Sequence, residues 1–532
     1  MRNTELSPLI SAYFQLSPDP SLSHQKVSFG TSGHRGSSLN GSFNQEHIWA
    51  ISQAIAEYRQ QQGIHGPLYL GIDTHALSIP AYGSVLEVLV ANGVTVCVHP
   101  REGYTPTPLI SHAILQHNRN TDVLADGIVI TPSHNPPGDG GIKYNTPDGG
   151  PAATAVTRAI QDRANDILVD GLHQVKKVSL IEAKTRAVAF DFVDLYVTNL
   201  PKVIDIKAIE RFGLIIGVDP LGGSALEVWQ TIAQRFNLHL TILNLKQDPT
   251  FAFMPKDHDG QIRMDCSSRH AMAQLLIQSE NYDLALANDP DADRHGIVDR
   301  QGLMNPNHFL AVAIDYLLQH RPNWSQHLSI GKTVVSSSMI DRVVARHDRS
   351  LYEVPVGFKW FVDGLHKGEL AFAGEESAGA SLLDREGLPW STDKDGIVLC
   401  LLAAEIFAVT RLSPSQYYQR LTESLAKPFY MRIDAAASDE DKRAISSLCM
   451  GDIKTTALAG DVIRQIHLTA PGNEQAIGGI KIMTDNGWFA ARPSGTEALY
   501  KIYAESFVGL KHLETLLAEA QQLISDAIGK TA

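Results

Sequence analysis

Three times along this chain the same order occurs: an apolar strand closing in Gly and a polar loop, a helical stretch, a second apolar strand, and a third strand running into another polar loop. Nothing else in the sequence constrains the fold as tightly. The first strands end at Gly71-Ile-Asp73, Gly217-Val-Asp219 and Gly331-Lys-Thr333, and the middle ones are read at 94–98, 238–243 and 351–354. The third strands run into Thr131-Pro-Ser-His134, Asn288-Asp-Pro-Asp291 and Gly374-Glu-Glu-Ser377. The separations within each copy, roughly 45–70 residues, leave room for crossover helices. Near-continuous apolar strands alternating with helical stretches predict parallel α/β sheets. Ligands bind such sheets beyond the carboxyl ends of the strands, so the three loops are expected to face one site. The last hundred residues break the pattern: Gly487-Trp-Phe-Ala-Ala491 is strand-like, Arg492-Pro-Ser-Gly-Thr496 a turn, 499–503 alternates, and 510–527 has helical periodicity. We expect three α/β domains at 1–200, 201–320 and 321–428, and a smaller α+β domain at 429–532.

Composition narrows the function classes. At 44% hydrophobic and 19% charged residues, the 532-residue chain is a folded one. Its longest apolar run, near 397–409, contains Glu405 and falls short of the roughly 20 residues that span a bilayer, so no membrane partner is expected. The N-terminus shows no basic cluster leading into an apolar stretch, and a cytoplasmic location is expected. The net charge of −13, without a dense Lys/Arg run, argues against nucleic acid. Cys97, Cys266, Cys400 and Cys449 form no C-x-x-C pair and read as buried, reduced thiols. The sequence is silent on oligomeric state.

Four loops carry chemistry. In Thr131-Pro-Ser-His-Asn-Pro-Pro137, three prolines stiffen the segment around Ser133, which makes its hydroxyl a usable nucleophile or phosphate carrier; a plain Pro-rich turn reads equally well. Neighbouring side chains in an extended loop point apart, so a Ser133–His134 dyad is not expected. In Asp289-Pro-Asp-Ala-Asp-Arg294 three carboxylates at alternate positions share one side in an extended segment and need a cation, with all-oxygen ligation favouring Mg²⁺, Mn²⁺ or Ca²⁺ over zinc; a solvated acidic turn is the other reading, and the loop's place in the repeat favours the metal. An EF-hand is excluded because its Gly and its final Glu would be Arg294 and Arg300. Gly374-Glu-Glu-Ser-Ala-Gly379 offers acceptors suited to sugar hydroxyls, or else an acidic first helical turn. Arg492-Pro-Ser-Gly-Thr-Glu497 combines a guanidinium, hydroxyls and a glycine, a set that can cradle a phosphate, or else is a common turn beside a surface cation. Gly331-Lys-Thr333 is no P-loop, because position 326 is Gln.

Taken in order, T-P-S-H-N-P, D-P-D-A-D-R, G-E-E-S-A-G and R-P-S-G-T-E resemble the α-D-phosphohexomutase superfamily over essentially the whole chain. With T-S-G-H-R-G at 31–36, the sequence is most similar to the bacterial α-phosphoglucomutase branch. The resemblance implies three similar mixed or parallel α/β domains and a smaller α+β domain around a central cleft. It also implies that Ser133 carries a phosphoryl group and that Asp289, Asp291 and Asp293, with Ser133, hold one Mg²⁺ per active site. Arg35, Lys143, His134 and Arg294 would surround the transfer point, with Lys143 as general base. Gly357, Lys359, Glu375 and Ser377 would grip the sugar, while Lys394, Arg492, Ser494, Gly495 and Thr496 would bind the distal phosphate. Where some relatives carry a His four residues before the lysine matching Lys394, this chain has Trp390. The implied activity is reversible interconversion of α-D-glucose 1-phosphate and glucose 6-phosphate, with glucose 1,6-bisphosphate as intermediate and activator. A phosphomannomutase, a phosphoglucosamine mutase and a noncatalytic sugar-phosphate sensor are the alternatives.

Overall fold

The structure, a computed structural model, describes residues 3–30, 33–494 and 499–529. Three sheets share one plan. In the first, Leu68–Ile72 lies between Val96–Val98 and Asp126–Ile130 and is parallel to both. In the second, Ile216–Asp219 lies likewise between Leu240–Ile242 and Leu284–Asn288. In the third, Ser329–Thr333 stands between Leu351–Val354 and Leu370–Glu375.

Each third strand then passes through its polar loop and returns antiparallel, as Gly140–Asn145, His295–Asp299 and Gly379–Leu382. The sheets are thus mixed rather than wholly parallel. These return strands are four to six residues long and directly abut the polar loops, so they carry little periodic signal of their own. The loops are hairpin connections at the carboxyl ends of the parallel strands. The acidic third loop is such a turn and starts no helix.

A single apolar core joins the three units, drawing Tyr69 and Leu109 from the first, Trp229 from the second, and Phe372 and Leu401 from the third. The helix Gly396–Thr410 runs through it, buried along nearly its whole length, as expected for a helix apolar on every face. Among the described residues no single helix is long and apolar enough to cross a membrane. Cys97, Cys266 and Cys400 are buried, but Cys449 is exposed, because it caps the surface turn Met450–Asp452 instead of lying in an element.

The C-terminal sheet runs Phe429–Ala436, Leu499–Ser506, Gly487–Pro493, Ala476–Thr484, Asp461–Thr469, Ala457–Leu458 in space, all antiparallel. The helix Leu510–Ala527 packs Leu513, Leu516, Leu517, Ala520 and Ile524 on it. This sheet is joined to the third unit through buried charge. Lys481 and Lys332, both fully buried, meet Glu353 at 3.1 Å, and Lys332 also pairs with Asp341. Across the same joint the Glu505 carboxylate accepts from the Ser337 hydroxyl and the Ser338 N–H at 2.7 Å, and within its own sheet from the Trp488 indole at 2.9 Å.

Burial alone would raise the Glu353 carboxyl, but Lys481 and Lys332 outweigh it and bring the group down to about 2. Because that lies below the ordinary 4.5, the stabilisation is complete above pH 4.5 and is lost as pH falls towards 2. Glu353→Gln leaves two buried lysines short of a counter-charge and is expected to cost about 3–5 kcal/mol at neutral pH. Native-state hydrogen exchange over 476–484 would register this as lost protection, with no change across 68–72.

Candidate active site

The three repeat loops converge, and each contains a non-glycine residue in the left-handed region: Ser133 at φ 62°, Ala292 at 55° and Ala378 at 71°. Such conformations persist only where surrounding contacts hold them. Ser133 N–H donates to Thr131 Oγ1 at 2.8 Å, and Ser133 Oγ donates to Asp289 Oδ2 at 3.0 Å. His134 Nδ1 lies 3.3 Å from the same Oγ. The expectation that these neighbours point apart is therefore overturned. It assumed an extended loop, and the left-handed turn at Ser133 swings both side chains to one side.

Asp289, Asp291 and Asp293 sit on the hairpin between Leu284–Asn288 and His295–Asp299, all buried, with one oxygen of each within 4.8 Å of the others. Positive charge arrives from the other units. Lys143, on the return strand of the first unit, reaches Asp291 at 2.6 Å and Asp293 at 2.9 Å. Lys394, just before the core helix of the third, reaches Asp293 at 3.1 Å. Arg294 N–H donates to Asp289 Oδ1 at 3.0 Å, and the Arg294 guanidinium lies 3.9 Å from Asp265. A Cβ on Gly396 would come within 2.0 Å of the Arg294 carbonyl, so only glycine lets the core helix start this close to the acidic loop.

These contacts set the electrostatics. Burial, together with Asp291 and Asp293, pushes the Asp289 carboxyl well up, the usual result when like charges share a dry site. Asp293 goes the opposite way: burial would raise it, but Lys143, Lys394 and Arg294 hold it far below the carboxylate range. For Lys143 burial works towards the neutral amine, yet Asp291 and Asp293 prevail and keep it above its ordinary value. Burial, with Arg294 and Arg35 nearby, lowers His134 and leaves a neutral imidazole.

A divalent cation fits here. Among the described residues, Asp291 Oδ1 and Asp293 Oδ1 are buried without a hydrogen-bond partner, the state of oxygens available to a metal. The donors are hard carboxylate oxygens plus a hydroxyl, the set that suits Mg²⁺ or Mn²⁺.

The remaining expected residues lie around this cluster at differing ranges. Arg35, on the strand His34–Gly36 paired to the Lys143 strand, lies within electrostatic reach of Asp291, Asp293 and Arg294. Glu375 ends the strand Leu370–Glu375 and accepts from the Gly357 N–H at 3.0 Å. Gly357 has φ 126°, a value that favours glycine. Burial pushes Glu375 up to about 7, against the pull of Lys394. Ser377 is in the turn that follows, and Lys359 lies on the short helix Phe358–Trp360 with its amine 5.3 Å from the Trp360 ring. Arg492 hydrogen-bonds Tyr503 on the C-terminal sheet rather than joining the carboxylate cluster. Ser494 is buried beside it, with its N–H donating to Leu499 O at 2.8 Å, while Gly495 and Thr496 lie outside the described residues. Trp390 is buried, donates to Asp395 at 2.8 Å and packs on His112.

Two further residues touch the cluster. Thr107, at the start of the helix Thr107–Asn118, donates through Oγ1 to Asp291 Oδ2 at 2.6 Å, and its N–H donates to the Asp291 carbonyl at 3.0 Å. Its sequence signal was Thr105-Pro-Thr-Pro108, where proline beside a hydroxyl marks a helix start. Asp265 faces Arg294 from an irregular stretch of the second unit and had no such marker.

With this geometry in place, the comparisons are specific. Models described as phosphoglucomutase/phosphomannomutase alpha/beta/alpha domains I, II and III match residues 26–168, 194–302 and 305–425, and that of the C-terminal domain matches 454–522. The chain belongs to the phosphoglucomutase/phosphomannomutase family and is a phosphohexomutase. A phosphoglucomutase of Komagataeibacter xylinus is 55% identical over 535 residues, covering 100% of this chain and 96% of that protein. One from Staphylococcus aureus is 26% identical over 90% of this chain and 89% of its own. Among solved structures, the open form of Paramecium pp63/parafusin shares the fold with TM-score 0.75 and 20% identity over 96% of both chains. A phosphoglucomutase/phosphomannomutase family protein of Burkholderia thailandensis does so with TM-score 0.71 and 19% identity, over 96% of this chain and 99% of its own.

Mn²⁺, a paramagnetic stand-in, is expected to bind at one tight site per chain. Asp293→Asn should weaken it by more than the roughly 10–100-fold typical of losing an outer partner, as measured by electron paramagnetic resonance.

Proposed function

We propose that this phosphohexomutase interconverts α-D-glucose 1-phosphate and glucose 6-phosphate through a phosphorylated Ser133. The observation that carries the reading is the placement of the Ser133 hydroxyl, on a buried and conformationally held loop, 3.0 Å from the carboxylate triad. The 55% identity to a phosphoglucomutase over the full chain supports the choice of sugar.

In this reading the phosphoryl group leaves Ser133 Oγ for the free hydroxyl of the bound sugar. The Oγ–P bond breaks, a sugar O–P bond forms, and the hydroxyl proton replaces phosphorus on Oγ in the net balance. The product, glucose 1,6-bisphosphate, turns end for end and returns its other phosphate to Ser133. Added from solution, the same bisphosphate activates the enzyme by priming Ser133. Such transfers need alignment and neutralisation of spread negative charge. Asp289, Asp291 and Asp293 would hold the Mg²⁺, one per site, which supplies much of that neutralisation when bound.

Lys143, Arg294 and Arg35 supply fixed positive charge around the acidic cluster. The double ion pair of Lys143 favours its ammonium, so a base role depends on those carboxylates being drawn elsewhere. Neutral His134 stands at hydrogen-bond distance from Oγ, able to hold or steer its proton. Glu375 and Ser377, with Gly357 and Lys359, grip the sugar hydroxyls. Lys394, Arg492, Ser494, Gly495 and Thr496 hold the phosphate that is not in transfer. The division at 1–200, 201–320, 321–428 and 429–532 assigns one loop to each domain, and a cytoplasmic setting suits the substrate.

Ser133→Ala is expected to lower turnover by at least about four orders of magnitude with an unchanged circular dichroism spectrum. Relative kcat/KM on glucose, mannose and glucosamine phosphates separates the sugar alternatives, with glucose expected to lead by at least about tenfold.

A further inference from the structure

Asp73 follows the first strand of the first unit and is completely buried, yet it is neither a triad member nor near the sugar loop. Its carboxylate accepts four hydrogen bonds. Oδ1 takes the His75 N–H at 3.0 Å and the Ser78 hydroxyl at 2.6 Å. Oδ2 takes His75 Nδ1–H at 2.7 Å and the Thr131 hydroxyl at 2.6 Å. With its hydrogen committed to Asp73, Thr131 Oγ1 is free to accept, and it accepts the Ser133 N–H at 2.8 Å.

On the other side of the serine, His75 Nε2 lies 3.0 Å from the carbonyl oxygen of Asn135. Both ring nitrogens of His75 therefore face acceptors, an arrangement that suits the doubly protonated ring. The ring is buried and packed against Phe251, with centroids 4.9 Å apart. One carboxylate thus grips the residue two before Ser133 directly and, through the imidazole, the residue two after it. Between those grips lies the left-handed φ of 62° that brings Oγ to the acidic cluster.

The end of the first strand also bonds to the loop in the third unit, whereas in the second Asp219 accepts from the Leu221 N–H and from Asn244 instead. Thr333, also at the end of a first strand, donates to Glu376 in the adjacent loop at 2.9 Å.

We propose that Asp73, His75 and Thr131 are positioning residues that clamp the Ser133 loop from both flanks and so aim Oγ at the phosphorus it exchanges. This rests on the mutase reading above. The step it serves is uptake of a phosphoryl group by Ser133 from glucose 1,6-bisphosphate, in which the Oγ–H bond gives way to Oγ–P and the released sugar oxygen takes the proton.

The test compares Thr131→Val, which keeps the volume and loses the hydroxyl, with Thr131→Ser, which keeps the hydroxyl and loses the methyl. Quench-flow uptake of phosphate on Ser133 should slow by about 10–100-fold in Thr131→Val and by no more than about threefold in Thr131→Ser, with KM for glucose 1-phosphate nearly constant. A packing role predicts the reverse order. His75→Asn, which loses the reach to Asn135, is a second and independent probe and should also slow uptake at constant KM. Wild-type uptake rates in Thr131→Val or His75→Asn, or a slower Thr131→Ser than Thr131→Val, would overturn the clamp. Should wild-type protein itself take no phosphate on Ser133, the mutase reading fails first, a result distinct from any variant-specific one.

Discussion

Three carboxylates held within 4.8 Å of one another, out of water, are the constraint on which the rest of this structure depends. Left alone they would repel, and burial makes the repulsion worse. The chain meets the difficulty by drawing charge from elsewhere: Lys143 from the first unit and Lys394 from the third close on the loop of the second. The packing of the three units and the assembly of the site are for this reason one problem. Gly396 starts the core helix against the Arg294 carbonyl, and Thr107 starts another against Asp291, so the shared core and the acidic loop are built from the same helix ends.

The mixed sheets serve this arrangement. A wholly parallel sheet would send the chain from each loop into a crossover helix. Here the chain turns back along the strand it has just left, and the return strand brings Lys143 to the site. Ser133, Ala292 and Ala378 in these connections are left-handed, and at Ser133 the neighbouring hydrogen bonds hold the conformation. The C-terminal sheet is joined differently, by Glu353 between two buried lysines, and it carries Arg492.

Much of this was legible before any coordinates. The ends of the first and third strands, the three repeat loops and the helix 510–527 follow from apolar runs broken by glycine, proline and charge, because burial imposes those patterns locally. The chemistry of the triad was legible too, since three acidic residues at alternate positions cannot share a face without a counter-ion. What stayed hidden depends on distant parts of the chain. The nearness of His134 to Ser133 follows from a left-handed φ held through Thr131, Asp73 and His75. Thr107 reaches the cluster only after the units pack, and Asp265 faces Arg294 from an irregular stretch of the same unit that carries no periodic signal. The surface position of Cys449 reflects a turn with no periodic signal, and the protonation of Lys143 depends on carboxylates some 150 residues away in sequence.

The central claim is that one serine oxygen beside the triad takes up and gives away a phosphoryl group. Intact-mass measurement with peptide mapping, after priming with glucose 1,6-bisphosphate in the presence and absence of Mg²⁺, tests it most directly. A single phosphate located on Ser133, stable until glucose 1-phosphate is added and discharged only when Mg²⁺ is present, is the result the structure predicts. A phosphate on another residue, or one that survives the sugar phosphate while turnover proceeds, would contradict it.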